Sequence, residues 1–292
     1  MQIQDLIPLG PKTTMRIGGK ALYYAEILTE KDVEDAYAFS REKNIPLIVL
    51  GGGSNTIFAD DVINALVMRI KNETTVTDGN RVTVSAGKIL GSLLNDLAAQ
   101  NLDLSALTGI PGTLGGAIFG NAGQGATGIW IDSFVESVTV LIDGTWKTLT
   151  REECDFRYRE STFKDLAAKH SVIIWKAILK VPSRPAAEVK AEIERLLKKR
   201  IETQPHLKTA GSCFKSLPDG TPAWKLIDQA GLRGTKIGGI QISEKHANFL
   251  LNVEKGTFED AVNATKIIRK KVPQIAGIEM RFFGGDGGIA AC

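Results

Sequence analysis

The sequence predicts an α+β protein of 292 residues, built from three consecutive parts. Strand-like and helix-like segments alternate up to about residue 70, which is typical of a small α/β unit. From residue 73 the segments become shorter and β-rich, with glycine-containing turn signals between them. The stretch VPSRPA at 181–186 then breaks the pattern and precedes a compact domain of about a hundred residues. We therefore divide the chain into 1–70, 71–185 and 186–292.

The first part begins with a strand-like segment, ALYYAEIL at 21–28. Thr29 is followed three residues later by an aspartate, and this capping-box spacing predicts a helix over 30–43. Apolar runs at 45–50 and 62–70 then indicate two buried strands.

The second part is predicted to be mostly β-structure. Its elements are a hairpin around Asp78-Gly79-Asn80, a helix with leucines at 90, 93, 94 and 97, a hairpin around Asp143-Gly144 within 134–150, and a strand at 172–181. The segment with the leucines is predicted to be a helix between the β segments, because the leucines recur at helical rather than alternating spacing.

The third part opens with a long amphipathic helix. Its apolar face is predicted to consist of Val189, Ile193, Leu196, Leu197 and Ile201, and the charges of RLLKKR are expected on the solvated face. The elements predicted after it are a helix at 222–230 ended by Gly231, strands at 237–243 and 249–253, a helix from Thr257, and a final strand at 278–283.

Composition excludes several classes of protein. The 36 basic and 33 acidic side chains leave a net charge of +3, and no basic stripe is interleaved with aromatic residues, so we expect no nucleic-acid partner. The first residues lack a signal-peptide pattern and no window is apolar enough to insert into a membrane, so a cytoplasmic location is expected. The three cysteines, Cys154, Cys213 and Cys292, lack CxxC spacing, which argues against a metal site and fits a reducing compartment.

Two glycine-rich loops carry the main functional signal. The segment GIPGTLGGAIFGNAG at 109–123 contains six glycines among mostly apolar residues, and VLGGGSN at 49–55 follows a predicted strand. Glycine lets backbone N–H groups approach a ligand closely, and the expected ligand is an anion such as a phosphate. Neither loop has the GK[ST] ending of a P-loop or the GxGxxG pattern of a dinucleotide fold. Tight turns with close backbone packing are the alternative interpretation of each loop.

Five motifs in order resemble the UDP-N-acetylenolpyruvoylglucosamine reductase family. They are LGGGSN, IPGTLGGAIFGNAG, FRYRESTFK at 156–164, AGSCFK at 210–215 and GLRGTKIGGIQISEKHANFLLN at 231–252. The resemblance extends from Thr13 to Gly284. It implies two subdomains, 1–70 and 71–185, that hold FAD in a fold of the vanillyl-alcohol-oxidase (PCMH) type, and a C-terminal α+β substrate domain at 186–292. The short connection near 181–186 resembles the subtype that lacks an extra tyrosine-bearing loop.

The resemblance also implies the cofactor contacts. The FAD-binding residues implied are Gly51, Gly52, Gly53, Ser54 and Asn55 in the first loop, and Gly112, Thr113, Gly115, Gly116, Asn121, Ala122 and Gly123 in the second. Backbone N–H groups of these residues are expected to hold the pyrophosphate and the edge of the flavin. The segment GGGSNTIF has no histidine that could tether the flavin, so FAD is expected to be non-covalent.

In the family, NADPH reduces FAD, and the reduced flavin passes hydride to C3 of the enolpyruvyl group on UDP-N-acetylglucosamine. The resemblance implies that Arg159 binds the carboxylate, Ser212 protonates C2 and Glu279, in the final strand, assists the proton transfer. Cys213 is an alternative acid, although neighbours on a strand face opposite ways. The strand of Glu279 lacks the second glutamate that the family usually has two residues earlier. Ser216 stands where the family usually has an asparagine.

The remaining assignments are less specific. Tyr158, Lys208, Lys215 and His246 are candidates to hold the diphosphate or uracil, and an ordinary structural role is the alternative for each. No metal is expected, and the sequence does not determine the oligomeric state. Two other functions fit the same platform: an FAD-dependent alcohol or sugar oxidase, and a non-catalytic regulator that binds flavin or UDP-sugar.

Overall fold

The computed structural model describes residues 1–123, 128–275 and 277–290. The elements up to residue 70 are β1 (Ile3–Pro8), β2 (Lys20–Ile27), α1 (Glu30–Glu42), β3 (Leu47–Val49), β4 (Thr56–Phe58) and β5 (Val62–Ile70). Those between 71 and 185 are β6 (Thr75–Asp78), β7 (Arg81–Ser85), α2 (Leu90–Ala98), α3 (Leu114–Phe119), β8 (Val135–Ile142), β9 (Thr145–Thr150), α4 (Thr162–Leu166) and β10 (Val172–Lys180). Those after 185 are α5 (Ala186–Thr203), β11 (Thr209–Ser212), α6 (Ala223–Gln229), β12 (Lys236–Ile237), β13 (Ile240–Ile242), β14 (Phe249–Asn252), α7 (Phe258–Lys271) and β15 (Arg281–Phe283).

Helix α1 begins where the capping-box signature predicts. The Thr29 hydroxyl accepts the Asp32 N–H at 3.1 Å, and the Asp32 carboxylate accepts the Thr29 N–H at 2.9 Å. These bonds satisfy donors that have no acceptor within the first helical turn. The predicted helix over 30–43 is confirmed as Glu30–Glu42.

Five strands form an antiparallel sheet in the order β6-β7-β10-β8-β9. Both predicted hairpins are confirmed, since β6 pairs with β7 and β8 with β9. The second turn consists of Asp143 and Gly144, whose φ angles are 46° and 81°. Two consecutive positive φ angles match the right-handed twist of the flanking strands, which explains the Asp-Gly pair.

The strands of the third part pair in the order β11-β14-β13-β12. The prediction of one strand over 237–243 is wrong, because β12 and β13 are two strands of a hairpin that turns at Gly238 and Gly239. Gly238 has a φ of +53°, and a Cβ there would lie 2.0 Å from the Asp260 carboxylate, whose other oxygen accepts the Gly239 N–H. Asp260 therefore fixes the turn.

Two further pairings complete the strand arrangement. Strands β1, β2, β5 and β3 form a sheet in that order, and β15 pairs with β4 in parallel. The predicted final strand over 278–283 is too long, because β15 begins at Arg281 and the residues just before it pair elsewhere.

The apolar face predicted for α5 is only partly buried. Val189 is fully buried, whereas Leu197 and Ile201 are 43% and 47% exposed. The buried side of the helix instead runs through Val189 and the half-buried Leu196 to Arg200, which is also half-buried. The expectation that the charges of RLLKKR all lie in solvent is therefore wrong for Arg200.

Contacts divide the described residues into two compact units, each assembled from separate segments. The first unit draws on Met1–Ile3, Ala25–Gly52 and Met68–Arg200, and the second on Gln4–Tyr24, Gly53–Val67 and the chain from Ile201 onward. The second unit has a core that includes Met15, Phe214, Ile227, Leu250 and Phe282. The division at residues 70 and 185 stays a prediction. No described helix has the length and apolar character needed to cross a bilayer.

Candidate active site

In the first unit, the two glycine-rich loops pack backbone against backbone. A Cβ at Gly52 would lie 2.6 Å from the Gly112 Cα, and one at Gly51 would lie 2.8 Å from the Thr113 hydroxyl. Side chains at these positions would push the loops apart. The N–H groups of Gly51 and Gly52 donate no hydrogen bond to any described residue, so this part of the first loop has the donors that an anion needs.

The remainder of the first loop belongs to the second unit. Gly53 has a φ of +68°, and its carbonyl accepts the Thr14 N–H at 3.0 Å. The Asn55 side-chain amide donates to the Glu279 carbonyl at 2.9 Å, and the Asn55 carbonyl accepts the Arg281 N–H at the same distance. Asn55 thus holds the backbone of a proposed catalytic residue, and Ser54 is half-buried beside it.

The second glycine-rich segment opens helix α3. Thr113 is its N-cap, with the hydroxyl accepting the Gly116 N–H at 3.4 Å. The Gly115 N–H donates to the Ala86 carbonyl at 2.9 Å, so this amide serves the protein's own packing. Gly112 has a φ of +109°, a conformation that side chains rarely adopt.

Gly116 provides a test of whether a cofactor fits this surface. The residue is exposed, and a Cβ there would meet only the Thr113 hydroxyl, at 3.7 Å. Neither packing nor backbone conformation requires glycine, although glycine within a helix costs about 1 kcal/mol relative to alanine. A ligand that lies against the backbone explains the residue, and a flat flavin or its pyrophosphate meets that requirement.

Hydrogen bonds and packing hold the end of the glycine-rich segment, residues 121–123, in place. Asn121 is 1% exposed, and its side chain donates to the Arg157 carbonyl at 3.1 Å and accepts the Asp132 N–H at 3.3 Å. The Ala122 N–H donates to the Ala117 carbonyl at 2.8 Å. Gly123 leaves room for the Trp130 ring, whose Cδ1 would lie 1.6 Å from a Cβ on the glycine.

Arg159 is held by hydrogen bonds to the backbone at the end of the glycine-rich segment. Its guanidinium donates to the Gly123 carbonyl at 2.9 Å and to the Asn121 carbonyl at 3.3 Å. The residue lies at the corner of a tight turn with a φ of 58°, and Lys164 donates to its carbonyl at 3.0 Å. The Lys164 ammonium also forms an ion pair with Glu160 at 3.2 Å. The turn therefore sets the direction of the guanidinium before any ligand binds.

In the second unit, the backbone of Glu279 pairs with the segment that directly follows Ser212. The Glu279 N–H donates to the Cys213 carbonyl at 2.8 Å, Phe214 bridges Ile278, and the Lys215 N–H donates to the Gly277 carbonyl at 2.9 Å. Glu279 thus precedes the final strand instead of lying in it. Ser212 is half-buried at the end of β11, and its hydroxyl makes no hydrogen bond with a described residue. Cys213, the alternative acid, is 0% exposed.

The expected substrate contacts are in varied surroundings. Lys208 is exposed, and Lys215 is half-buried against Gly277. The His246 ring lies 4.8 Å from the Phe249 ring and 6.0 Å from the Trp224 ring, and burial lowers the pKa of the imidazole. Tyr158 belongs to the first unit, where its ring lies 6.1 Å from the Trp130 ring. The described residues contain no group of histidine, cysteine and acidic side chains that could hold a metal.

Two further residues, Asn248 and Arg200, contact these segments and are not predicted from the sequence. Asn248 donates to the Phe214 carbonyl at 2.8 Å and accepts the Phe214 N–H at 3.0 Å, which fixes the segment after Ser212. Arg200 rests on Gly109 at the start of the glycine-rich segment. Its spacing of four residues from Leu196, on the buried side of α5, is the signal that could have revealed it.

Two family models match the chain. The model described as FAD binding domain matches residues 21–150, and the model described as UDP-N-acetylenolpyruvoylglucosamine reductase, C-terminal domain, matches residues 204–282. Together with the structural likeness described next, these matches confirm the predicted α+β class with an FAD-binding fold.

Relatives match nearly the whole chain. The UDP-N-acetylenolpyruvoylglucosamine reductase of Aquifex aeolicus is 36% identical over 93% of this chain and 91% of its own length. That of Chlamydia muridarum is 34% identical over 93% of this chain and 90% of its own length. The crystal structure of UDP-N-acetylenolpyruvylglucosamine reductase (MurB) from Thermus caldophilus is 30% identical, with a TM-score of 0.84 over 97% of this chain and 99% of that one. The chain therefore belongs to the UDP-N-acetylenolpyruvoylglucosamine reductase family.

Proposed function

We propose that this chain is an NADPH-dependent flavoenzyme that reduces UDP-N-acetylglucosamine enolpyruvate to UDP-N-acetylmuramate for peptidoglycan synthesis. The net reaction consumes NADPH and one proton, saturates the C2–C3 double bond and releases NADP⁺. FAD, when bound, supplies the chemistry of hydride transfer between the nicotinamide and C3. The observation that supports the proposal is the ladder from Cys213 to Lys215 against Gly277 to Glu279, because it brings the backbone of Glu279 next to the segment that follows Ser212.

The residues have separate tasks in this reaction. Hydride addition at C3 leaves negative charge at C2, which delocalises into the adjacent carboxylate. Arg159 binds that carboxylate through its guanidinium and stabilises the added charge. The Ser212 hydroxyl transfers its proton to C2, and the Glu279 carboxyl returns a proton to the serine oxygen and regains one from solvent.

The cofactor is proposed to contact the glycine loops. The N–H groups of Gly51 and Gly52 are donors for the pyrophosphate, and the open backbone at Gly116 provides a flat surface. Asn55, Asn121, Ala122 and Gly123 each hold the backbone of their own segment through the hydrogen bonds and packing described above.

Replacement of Gly116 by alanine tests this placement. The variant apoprotein is expected to be about 0.5–1 kcal/mol more stable, because alanine favours the helix and has room there. Its affinity for FAD is expected to fall about tenfold, because the methyl group occupies the contact surface. Gly91, which lies in α2 with open space around it, is the matched control. Unchanged FAD affinity in Gly116→Ala would place the cofactor elsewhere.

Non-covalent attachment of FAD is expected, because GGGSNTIF contains no histidine that could form the link. Acid precipitation of the holoprotein should leave the yellow chromophore in the supernatant, where its absorbance is measured. Chromophore retained in the precipitated protein would contradict this expectation and favour an oxidase.

Anaerobic oxidation of NADPH by the FAD-loaded protein distinguishes the proposed functions. The reductase requires UDP-N-acetylglucosamine enolpyruvate for turnover beyond the first reduction of flavin. An alcohol or sugar oxidase would instead reduce flavin with its own substrate and reoxidise it with oxygen. A non-catalytic regulator would oxidise neither NADPH nor an alcohol or sugar. Loss of NADPH absorbance that is independent of the enolpyruvyl substrate would refute the reductase.

The substrates make small molecules the expected partners, and no nucleic acid is expected. A cytoplasmic location is part of the proposal, because NADPH and UDP-sugars are made there. Cell fractionation tests it.

A further inference from the structure

A second arginine lies over the start of the glycine-rich segment in the first unit. A Cβ at Gly109 would lie 2.5 Å from the Arg200 Cδ and 3.3 Å from its Nε, so the arginine side chain rests on the Gly109 backbone. Gly109 has a φ of +75°, which a larger residue would adopt only with strain. This contact holds the Arg200 guanidinium beside the segment that the cofactor is proposed to occupy.

The guanidinium of Arg200 has no acidic partner among the described residues. It makes no hydrogen bond or ion pair with them, although the side chain is half-buried. Arg195 on the same helix is different, because it is exposed and pairs with Glu192 at 2.6 Å. A partly buried guanidinium without an anion is unfavourable, because it has lost water contacts and gained no opposite charge.

Arg159 is the charged group that acts on Arg200. Burial, and to a lesser extent the positive charge of Arg159, lowers the pKa of Arg200 to about 10, so the Arg200 guanidinium is still charged at neutral pH. Arg159 is held by carbonyls at residues 121 and 123, and Arg200 lies on residue 109. Both arginines thus lie on the same glycine-rich segment, and an anion bound between them would offset the repulsion that Arg159 exerts on Arg200.

We propose that Arg200 and Arg159 together bind the carboxylate of the enolpyruvyl group, an inference that rests on the proposed function. The carboxylate already has one negative charge, and hydride addition at C3 adds a second that is shared with C2. Two guanidiniums match this pair of charges. Arg200 therefore adds affinity for the substrate and stabilises the intermediate.

The test compares two nucleotide sugars that differ in the carboxylate. Calorimetric titration of the FAD-loaded full chain with UDP-N-acetylglucosamine enolpyruvate and with UDP-N-acetylglucosamine gives both dissociation constants. In Arg200→Gln, the enolpyruvyl ligand is expected to bind at least about tenfold more weakly, and UDP-N-acetylglucosamine within about twofold of the parent. Arg200→Lys, which keeps the charge, should recover part of the loss. Arg195→Gln is the matched control on the same helix and should change neither constant.

Other outcomes overturn the proposal. An equal loss for both ligands would place Arg200 at the diphosphate, and no loss for either, with a lower flavin midpoint potential, would place it at the flavin. Arg159→Gln, titrated in parallel, separates the two levels of inference. If Arg159→Gln loses affinity selectively for the carboxylate and Arg200→Gln does not, only the role of Arg200 fails. If Arg159→Gln shows no selectivity, the proposed function of Arg159 fails.

Discussion

Replacement of Ser212 by alanine is expected to slow flavin reoxidation by the enolpyruvyl substrate about 10²–10⁴-fold and to leave flavin reduction by NADPH within about twofold. The proton at C2 is needed only in the second half-reaction, so the two rates should separate. The Ser212 hydroxyl makes no hydrogen bond with a described residue, and the variant should therefore unfold with a free energy within about 0.5 kcal/mol of the parent. Stopped-flow absorbance of the flavin measures both half-reactions.

Cys213 provides the control for this variant. It is the neighbouring residue and the alternative acid, and its side chain is 0% exposed. Cys213→Ala should lose about 1 kcal/mol of stability through a small cavity and keep its rate of flavin reoxidation. If Cys213→Ala were slow and Ser212→Ala fast, the thiol would be the proton donor. If Ser212→Ala slowed both half-reactions equally, Ser212 would have a structural role.

Replacement of Arg159 by glutamine is expected to lower kcat/KM for the enolpyruvyl substrate about 30- to 3,000-fold, equivalent to about 2–5 kcal/mol. The substrate carboxylate would lose a charge-assisted partner as it gains further negative charge. Part of the effect is structural, because the Arg159 guanidinium also donates hydrogen bonds to the carbonyls of Asn121 and Gly123. Steady-state kinetics, with thermal unfolding measured on the same samples, separates these contributions.

Arg157 is the matched control, since it lies two residues away in the same turn and forms an exposed ion pair with Asp165. Arg157→Gln should keep kcat/KM within about twofold, because exposed ion pairs contribute about 1 kcal/mol or less. Equal losses in Arg157→Gln and Arg159→Gln would show that the turn, and not the Arg159 charge, determines activity.

Local signals predicted much of the fold. The capping box at Thr29 and the Asp143-Gly144 turn each depend on residues within a few positions, and both elements form where expected. The Gly238–Gly239 turn was missed because the side chain that fixes it, Asp260, lies far along the chain. The final strand is shorter than predicted also because of a distant contact, since residues 277–279 pair with residues 213–215.

The candidate site follows the same division. The family motifs predict Arg159, Ser212 and Glu279 as catalytic residues, whereas the glycine-rich loops by themselves predict only an anion site. Sequence could not separate an amide that contacts a ligand from one that supports the backbone, and Asn55 and Asn121 have supporting bonds. Arg200 was missed because a charged residue is normally assigned to solvent, whereas its aliphatic stem packs on Gly109.

The two hydrogen bonds of Asn55 connect the glycine loop to the backbone at Glu279 and Arg281. Ordering the loop by cofactor should therefore slow amide hydrogen exchange at Arg281, whose N–H donates to the Asn55 carbonyl. Thermodynamic linkage makes this effect reciprocal. If the cofactor raises the affinity for a ligand that orders Glu279, that ligand raises the affinity for the cofactor by the same factor. Enzyme saturated with product should thus have a lower dissociation constant for flavin than enzyme without product.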